Sequence, residues 1–246
     1  MSIASKSFKI TWKLIKLLGT AVVLFVCIFL LWRVFSRGTP KSLETLTVNE
    51  DIRTAYTENQ NNLNIFTQEH LTLTSDGLFG VPQCLFIPEA NQIQIIVRYN
   101  NSTLRALADD EKYKLESVPS RKDNVFDVTL LVQTDLTPND STDNGGNIPD
   151  AVEYTRCHGT LCLSDEKNLY NFRKYVFDLD SCGLDLSELM ESGLLLAIYA
   201  DFYYVGDINY DQKPYGTLFL YDYLAENLPY KLSAKDRKAI EAFGEN

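Results

Sequence analysis

The stretch from Gln92 to Tyr99 reads QIQIIVRY, and its alternation decides the fold. Apolar side chains occupy every second position, at Ile93, Ile95, Val97 and Tyr99. In an extended chain these positions lie on one face, so the pattern predicts a half-buried strand that packs against a core. The tripeptide Asn100-Asn101-Ser102 that follows predicts a turn.

Other parts of the chain repeat this period of two. From Val125 to Thr134 the alternate residues are Phe126, Val128, Leu130 and Val132. Further candidate strands lie at 170–178, 194–204, 215–223, 71–74, 83–87 and 152–157. No helical pattern of crossover length separates them, which favours antiparallel pairing. The sequence therefore predicts a mainly β fold, an antiparallel β-sandwich that is jelly-roll-like or immunoglobulin-like.

Three short helices are predicted around these strands. The capping-box pattern Thr47-Val-Asn-Glu50 opens one that runs to about residue 59. Asp185 to Met190 forms a second, of one or two turns. The pattern Ser233-Ala-Lys-Asp236 opens a short C-terminal helix that ends near Phe243.

A hydrophobic run lies near the N-terminus, where Leu17 to Phe35 read LLGTAVVLFVCIFLLWRVF. Its 19 residues are just long enough, at about 1.5 Å per residue, to cross a hydrocarbon core of about 30 Å. Trp12 and Trp32 bracket the run, as rings at the two interfaces would. Because Ser36-Arg37-Gly38 is a poor cleavage site, we expect an uncleaved signal-anchor rather than a signal peptide.

The charges around this run predict its orientation and divide the chain. Four lysines precede the run, whereas Arg33 near its end and Arg37 and Lys41 beyond it are the three basic residues on the other side. This bias favours a cytoplasmic N-terminus and a C-terminal domain outside the cell membrane. We expect a basic cytoplasmic tail at 1–16, the transmembrane signal-anchor at 17–35, and an extracytoplasmic sandwich at 63–246. Residues 36–62 form either a juxtamembrane stalk with a short helix or the first packed piece of the domain.

The exterior part of the chain is strongly acidic. Residues 1–37 hold six basic and no acidic side chains, which leaves 17 basic against 33 acidic residues and a formal charge of −16. Such a surface repels nucleic acid and anionic headgroups, so we expect no nucleic-acid partner.

The cysteines outside the membrane segment are Cys84, Cys157, Cys162 and Cys182. In an extracytoplasmic domain they permit two disulfides, with three possible pairings. The short spacing predicts a Cys157–Cys162 bridge across a tight turn at His158-Gly159, which leaves Cys84 to pair with Cys182. The alternative is four buried free thiols.

Oxygen-bearing side chains crowd the loop from Asp135 to Glu153, on a glycine-rich turn that suits a hard cation. The segment DNGGNIPDAVE, residues 143–153, resembles the calcium loops of thrombospondin type 3 repeats. The resemblance implies calcium at Asp150 and Glu153, with Asn144 at the third ligand position, although Thr142 stands where the first Asp belongs. Asp143 completes the candidate set. The alternative is a solvated acidic hairpin loop.

Tyrosines concentrate near the C-terminus, where eight of the 14 fall between residues 199 and 230. Tyr199, Asp201 and Tyr203 share one face of a predicted strand. Exposed aromatic rings stack on sugars or anchor a protein partner, so these three form a possible ligand face. The alternative is that the rings only pack within the sheet.

Catalytic signatures are missing from the sequence. It has no G-x-S-x-G, H-E-x-x-H, P-loop or dinucleotide fingerprint, and only two histidines. We therefore expect a non-enzymatic interaction or structural module of the cell envelope, with a protein or surface-polymer partner and no cofactor other than the calcium that the acidic loop suggests. The alternative is a carbohydrate-active hydrolase that uses acidic residues.

Overall fold

The computed structural model describes residues 3–68, 71–111, 115–133, 154–167, 169–191, 197–204, 214–222 and 228–243. The chain divides into two compact units, Met1–Gly38 and Thr39–Asn246. Helix α1 (Ile3–Arg37) belongs to the first and takes in most of the predicted basic tail. Its segment Trp12–Trp32, 21 residues with a mean hydropathy of 2.7, is long and apolar enough to cross a membrane.

The second unit contains the remaining elements. In chain order they are α2 (Glu50–Glu58), β1 (Ile65–Gln68), β2 (Thr72–Leu73), β3 (Gly80–Ile87), β4 (Gln92–Asn100), α3 (Asn101–Asp109), β5 (Phe126–Gln133), β6 (Tyr154–His158), β7 (Thr160–Lys167), β8 (Tyr170–Asp178), α4 (Leu186–Glu191), β9 (Ala197–Tyr204), β10 (Gly216–Asp222), β11 (Leu228–Tyr230) and α5 (Ala234–Ala242). Two short 3-10 turns lie at Pro88–Ala90 and Asp180–Cys182.

The strands form two sheets. The larger has the order β11-β1-β3-β4-β8-β7, with β2 also paired to β3, and the smaller has the order β10-β9-β5-β6. Every described strand pair is antiparallel. The predicted mainly β, antiparallel architecture is therefore confirmed. Strands β1, β7 and β11 had no counterpart among the predicted ones.

One hydrophobic core lies between the sheets. Phe79, just before β3, stacks on Phe202 of β9 at 4.3 Å between ring centroids and meets Phe126 of β5 edge-on at 4.9 Å. The alternate residues predicted to face a core in β4 and β5 all belong to this cluster: Ile93, Ile95, Val97, Tyr99, Phe126, Val128, Leu130 and Val132. The period of two thus identified both inner faces correctly.

The outer face of the larger sheet is covered by the strap, which we define as residues 39–48, and by α2 and α5. Leu46 of the strap, Ile52 of α2 and Ile240 of α5 are buried in one cluster. The strap and α2 therefore belong to the second compact unit, which begins at Thr39.

The helix starts show where local patterns are ambiguous. Asn49, not Thr47, caps α2, because its side chain accepts the Ile52 N–H at 3.0 Å. Asn100 caps α3 in a capping box with Thr103, where the sequence predicted only a turn. The capping box of Ser233 at α5 is confirmed.

Candidate functional site

The predicted ligand face on β9 points away from the shared core, but two of its members are enclosed. Asp201 and Tyr203 are 2% and 1% exposed. The Asp201 carboxylate accepts hydrogen bonds from Thr217 at 2.6 Å and from the Tyr203 hydroxyl at 3.3 Å. Burial raises the pKa of Asp201, and these two hydrogen bonds oppose the rise. An exposed ligand face is therefore wrong for this pair, while the side chain of Tyr199 lies outside the described part.

The proposed calcium ligands Asp143, Asn144, Asp150 and Glu153 lie outside the described residues. Within the described ranges, no group of three or more His, Cys, Asp or Glu side chains is placed to hold a metal ion. The calcium site remains a prediction from sequence.

The cysteines pair differently from the prediction. Cys157 of β6 is bonded to Cys182, with 5.7 Å between their Cα atoms, and Cys84 and Cys162 are free thiols. The bond joins the edge strand of the smaller sheet to the turn after β8 of the larger sheet. Burial raises the pKa of the Cys84 thiol and also that of Cys162.

The predicted Cys157–Cys162 bond is wrong because of the path that the chain takes at Gly159. The predicted tight turn is a passage between sheets, since β6 belongs to the smaller sheet and β7 to the larger. A Cβ atom at Gly159 would lie 2.7 Å from the Phe177 ring, so the chain crosses in close contact with the core. Cys157 is consequently buried, whereas Cys162 is exposed on the edge strand.

A cavity that was not predicted from the sequence lies at one end of the inner face of the larger sheet. Its volume is about 210 Å³, and it is lined by the ends of β4, β7 and β8 and by the loop before β5. We call it the Asn171 cavity. Its lining residues are Tyr99, Arg121, Lys122, Ser164, Asp165, Glu166, Asn171, Phe172 and Arg173.

Strand register shows how three of the lining residues lie relative to one another. Asn171 of β8 lies directly opposite Tyr99 of β4 on one side and Glu166 of β7 on the other. Directly opposed residues in antiparallel strands project from the same face, so the three form a row across the sheet. Arg173 lies in the next inward-facing position of β8.

Hydrogen bonds hold the loop before β5 over this row. The Tyr99 hydroxyl donates to the Arg121 carbonyl oxygen at 3.1 Å. The Arg173 guanidinium donates to Asn124 Oδ1 at 2.7 Å and to the Asp123 carbonyl oxygen. The guanidinium also lies 5.2 Å from the centre of the Tyr99 ring, a cation–π distance. Burial raises the pKa of Tyr99, and the charge of Arg173 opposes this.

Asn171 is the unusual member of the row. It is 2% exposed, and both its Oδ1 and Nδ2 atoms are enclosed without a hydrogen-bond partner among the described residues. In the buried amides of Gln83 and Gln92, only the oxygen is in this state. An enclosed polar atom that has no partner in the folded state costs about 1–3 kcal/mol.

A sequence signal for this cavity did exist. Tyr175 and Phe177 face the core, and the same period of two continues backwards to Arg173 and Asn171. Polar side chains at core-facing strand positions are disfavoured for stability alone. A polar residue in an otherwise apolar strand face therefore indicates a position that is not optimised for packing alone.

Similarity to known proteins assigns no role to these residues. The chain matches no protein-family model, and no curated protein or solved structure is significantly similar to it. Function is therefore argued from the residues of this chain.

Proposed function

We propose that this chain is a single-pass membrane protein whose acidic β domain is an interaction or structural module of the cell envelope rather than an enzyme. The N-terminus is cytoplasmic and the domain extracytoplasmic. The apolar segment Trp12–Trp32, with lysines before it, supports this orientation. The sheet arrangement supports assigning the domain to the sandwiches, jelly-roll-like or immunoglobulin-like.

The observation that carries the proposal is the Cys157–Cys182 bond between the two sheets. Disulfides persist in oxidising compartments and are rare in the cytosol. A domain whose sheets are joined by a disulfide, and which follows an apolar helix in the sequence, is suited to the outer side of a membrane. The charge of −16 beyond residue 37 favours a basic protein or a neutral surface polymer as the partner and disfavours nucleic acid.

Thiol labelling tests the topology. Cys162 is exposed and free, while Cys84 is buried. A membrane-impermeant maleimide applied at pH 8 to intact cells should therefore label the protein at Cys162. The variant Cys162→Ser is the matched control and should remain unlabelled. Labelling that requires cell lysis would overturn the extracytoplasmic placement.

A second experiment separates binding from hydrolysis. The purified full chain in mild detergent is incubated with envelope polysaccharides and with envelope protein extracts. We expect retention of a partner without new reducing ends. Release of soluble sugar fragments would support the hydrolase alternative and overturn the non-enzymatic function.

A further inference from the structure

We infer that a cavity beside the edge strand β11 binds the C-terminal end of a polypeptide, through its carboxylate and its apolar last side chain. The inference rests on the interaction role proposed above and names the kind of partner. We call this site the β11 cavity. Its volume is about 390 Å³, and it is lined by residues 62–66, residues 229–232 and Arg237 of α5.

Strand pairing forms the β11 cavity at one edge of the larger sheet. Strand β11 is the last in the sheet and pairs with β1, so that Phe66 lies directly opposite Pro229. Directly opposed residues of antiparallel strands project from the same face, so these two side chains are neighbours. Arg237 lies on α5 and lines the same cavity. A sheet edge and a helix therefore supply the walls.

The walls of the β11 cavity are mostly apolar, and packing holds them in place. Six of the ten lining residues are apolar or aromatic. Phe66 packs against the core between the sheets, while Tyr230 and Leu232 pack against the cluster on the outer face of the larger sheet. A preformed apolar wall loses little conformational entropy on binding and favours burial of an apolar ligand group.

The charged residues that line the β11 cavity are both basic. Lys231 and Arg237 are exposed, and neither has an ion pair or a side-chain hydrogen bond with another described residue. No acidic side chain is among the ten lining residues. The Debye length is about 8 Å at physiological ionic strength, so a bound group responds to these two cations more than to the acidic charge of the whole domain. The cavity therefore favours an anionic group.

Two acidic side chains hydrogen-bond to lining residues without lining the β11 cavity themselves. Glu89 Oε1 accepts the Asn64 N–H at 3.1 Å. Asp236 is fully buried and accepts hydrogen bonds from the Tyr230 hydroxyl at 3.0 Å and from the Ser233 hydroxyl at 2.6 Å. Both carboxylates are thus bonded to uncharged groups of the protein, which leaves the two cations available to a ligand.

A polypeptide C-terminus combines the two properties that this lining selects. Its carboxylate matches the planar guanidinium of Arg237, which binds carboxylates through two parallel hydrogen bonds. Its last side chain covers the apolar wall at Phe66 and Pro229, which a bare inorganic anion would leave open. The volume of about 390 Å³ lies within the roughly 300–1,000 Å³ of small-ligand pockets. It therefore suits the last residues of a chain rather than a folded surface.

Pro229 indicates that side chains, rather than an added strand, recognise this partner. An incoming extended chain pairs with an edge strand through backbone N–H and C=O groups. Strand β11 has only three residues, Leu228–Tyr230, and proline provides no N–H. A short edge that contains proline is poorly suited to pairing with another strand. Recognition therefore depends on the carboxylate and the apolar side chain of the partner.

Saturation-transfer NMR on the full chain in detergent micelles at pH 7 tests the inference, with protein-free micelles as the background. The probes are acetylated tripeptides that end in leucine or phenylalanine, each as the free acid and as the C-terminal amide. We expect at least one free acid to bind, and its amide to bind at least about tenfold more weakly, because a hydrogen bond to a charged group is lost.

Two results of this experiment would overturn the inference. One is equal binding of acid and amide, which would show that the carboxylate is not recognised. The other is no binding of either free acid. Octanoate, a carboxylate on an apolar chain without peptide bonds, is included as a further probe. Binding of octanoate alone would overturn the assignment to a polypeptide in favour of a fatty acid.

The variants Arg237→Gln and Lys231→Gln test which side chains hold the carboxylate. Each removes one positive charge and should weaken binding of the free acids at least about tenfold, while binding of the amides should not change. Because both side chains are exposed, thermal unfolding should occur close to the temperature of the parent chain.

The matched controls are Lys235→Gln and Lys238→Gln, which remove the same charge from exposed positions of α5 that do not line the β11 cavity. They should leave peptide binding unchanged. If Arg237→Gln and Lys231→Gln bind the free acids as the parent chain does, or if the controls weaken binding equally, the inference fails. This result is independent of the labelling of Cys162 and of sugar release, so the proposed function and this inference fail separately.

Discussion

The ammonium group of Lys174 donates a hydrogen bond to the carbonyl oxygen of Thr45 at 2.5 Å. Lys174 lies on β8 and is fully buried, and its Nζ atom also reaches the Leu43 carbonyl oxygen at 3.3 Å. It thereby fastens the strap to the outer face of the larger sheet. Asp236 of α5 holds the same strap by accepting the Leu46 N–H at 2.8 Å.

Because of Lys174, the free energy of unfolding should change with pH in the alkaline range. Burial lowers its pKa to about 8, against the opposing influence of Asp236 and Cys162. Between pH 8 and its unfolded pKa of about 10.4, the unfolded chain binds more protons than the folded one, so the free energy of unfolding rises with pH. The free-energy cost of burying the charged Lys174 ammonium is fully present below pH 8. Its relief amounts to about 3 kcal/mol at most, at 1.36 kcal/mol per pKa unit.

Urea unfolding of the full chain and of Lys174→Met, from pH 7 to pH 10.5, measures this effect. The difference in free energy of unfolding between the two chains isolates Lys174 from other titrating groups. We expect this difference to increase in favour of the parent chain above pH 8. A pH-independent difference would show that Lys174 has an ordinary pKa.

Asp236 should contribute stability that acid removes. Burial would raise its pKa, but hydrogen bonds from Ser233, the Leu46 N–H and Tyr230 together lower it. A lowered carboxylate pKa stabilises the folded state above about pH 4, and this is lost as the pH falls through the folded value. Asp236→Asn should cost about 2–4 kcal/mol at pH 7, because charged hydrogen bonds at a buried site are lost.

Chemical denaturation at pH 7 and pH 3 tests the role of Asp236, with Ser233→Ala as the control for the helix cap alone. The cap variant should cost about 1 kcal/mol. The penalty of Asp236→Asn should shrink at pH 3. An equal penalty at both pH values would contradict a lowered pKa.

The Cys157–Cys182 bond should stabilise the domain by about 3–4 kcal/mol, from the loop of 25 residues that it closes. The double variant Cys157→Ala with Cys182→Ala should lose this amount in denaturant unfolding. Cys162→Ser should change stability by less than about 0.5 kcal/mol, because that side chain is exposed.

Mass spectrometry after alkylation without reductant checks the pairing directly. Cys84 and Cys162 should carry the alkyl group once the chain is unfolded, and the peptides of Cys157 and Cys182 should remain joined. A peptide linked between Cys157 and Cys162 would contradict the structure.

The loop from Asp135 to Glu153 should bind calcium weakly. Isothermal calorimetry on the full chain should show heat at about 0.1–1 mM Ca²⁺, the range of weak extracellular sites. The double variant Asp150→Asn with Glu153→Gln should abolish it, whereas Asp135→Asn, outside the candidate set, should retain it. The absence of heat from the parent chain would end the calcium hypothesis.

The Asn-rich segment at 100–102 shows why local patterns predict elements unevenly. Asn100 suits a turn and a helix cap equally, because in both its side chain accepts a backbone N–H. The buried Leu104 and Leu107 of α3 settle the choice in favour of a helix, through contacts with the core. Ser233 offered less ambiguity, since Asp236 completes a capping box within four residues.

The predicted sites depended more than the helix starts did on contacts between residues far apart in sequence. Whether Asp201 and Tyr203 are exposed is decided by what covers the outer face of the smaller sheet, which strand periodicity does not reveal. The Asn171 cavity requires Tyr99 of β4 and Glu166 of β7 to flank one residue of β8, a matter of register between strands far apart in sequence.

Sequence alone determined the apolar segment of spanning length, the antiparallel β class and the core-facing residues of β4 and β5, because each follows from a period within one element. Tertiary structure decided the partner of Cys157, the packing of the strap by Lys174 and Asp236, and the isolation of the Asn171 amide. Each of these depends on which side chains meet across elements. The energies of burial and of side-chain pairing come from contacts between elements, which a local sequence pattern does not show.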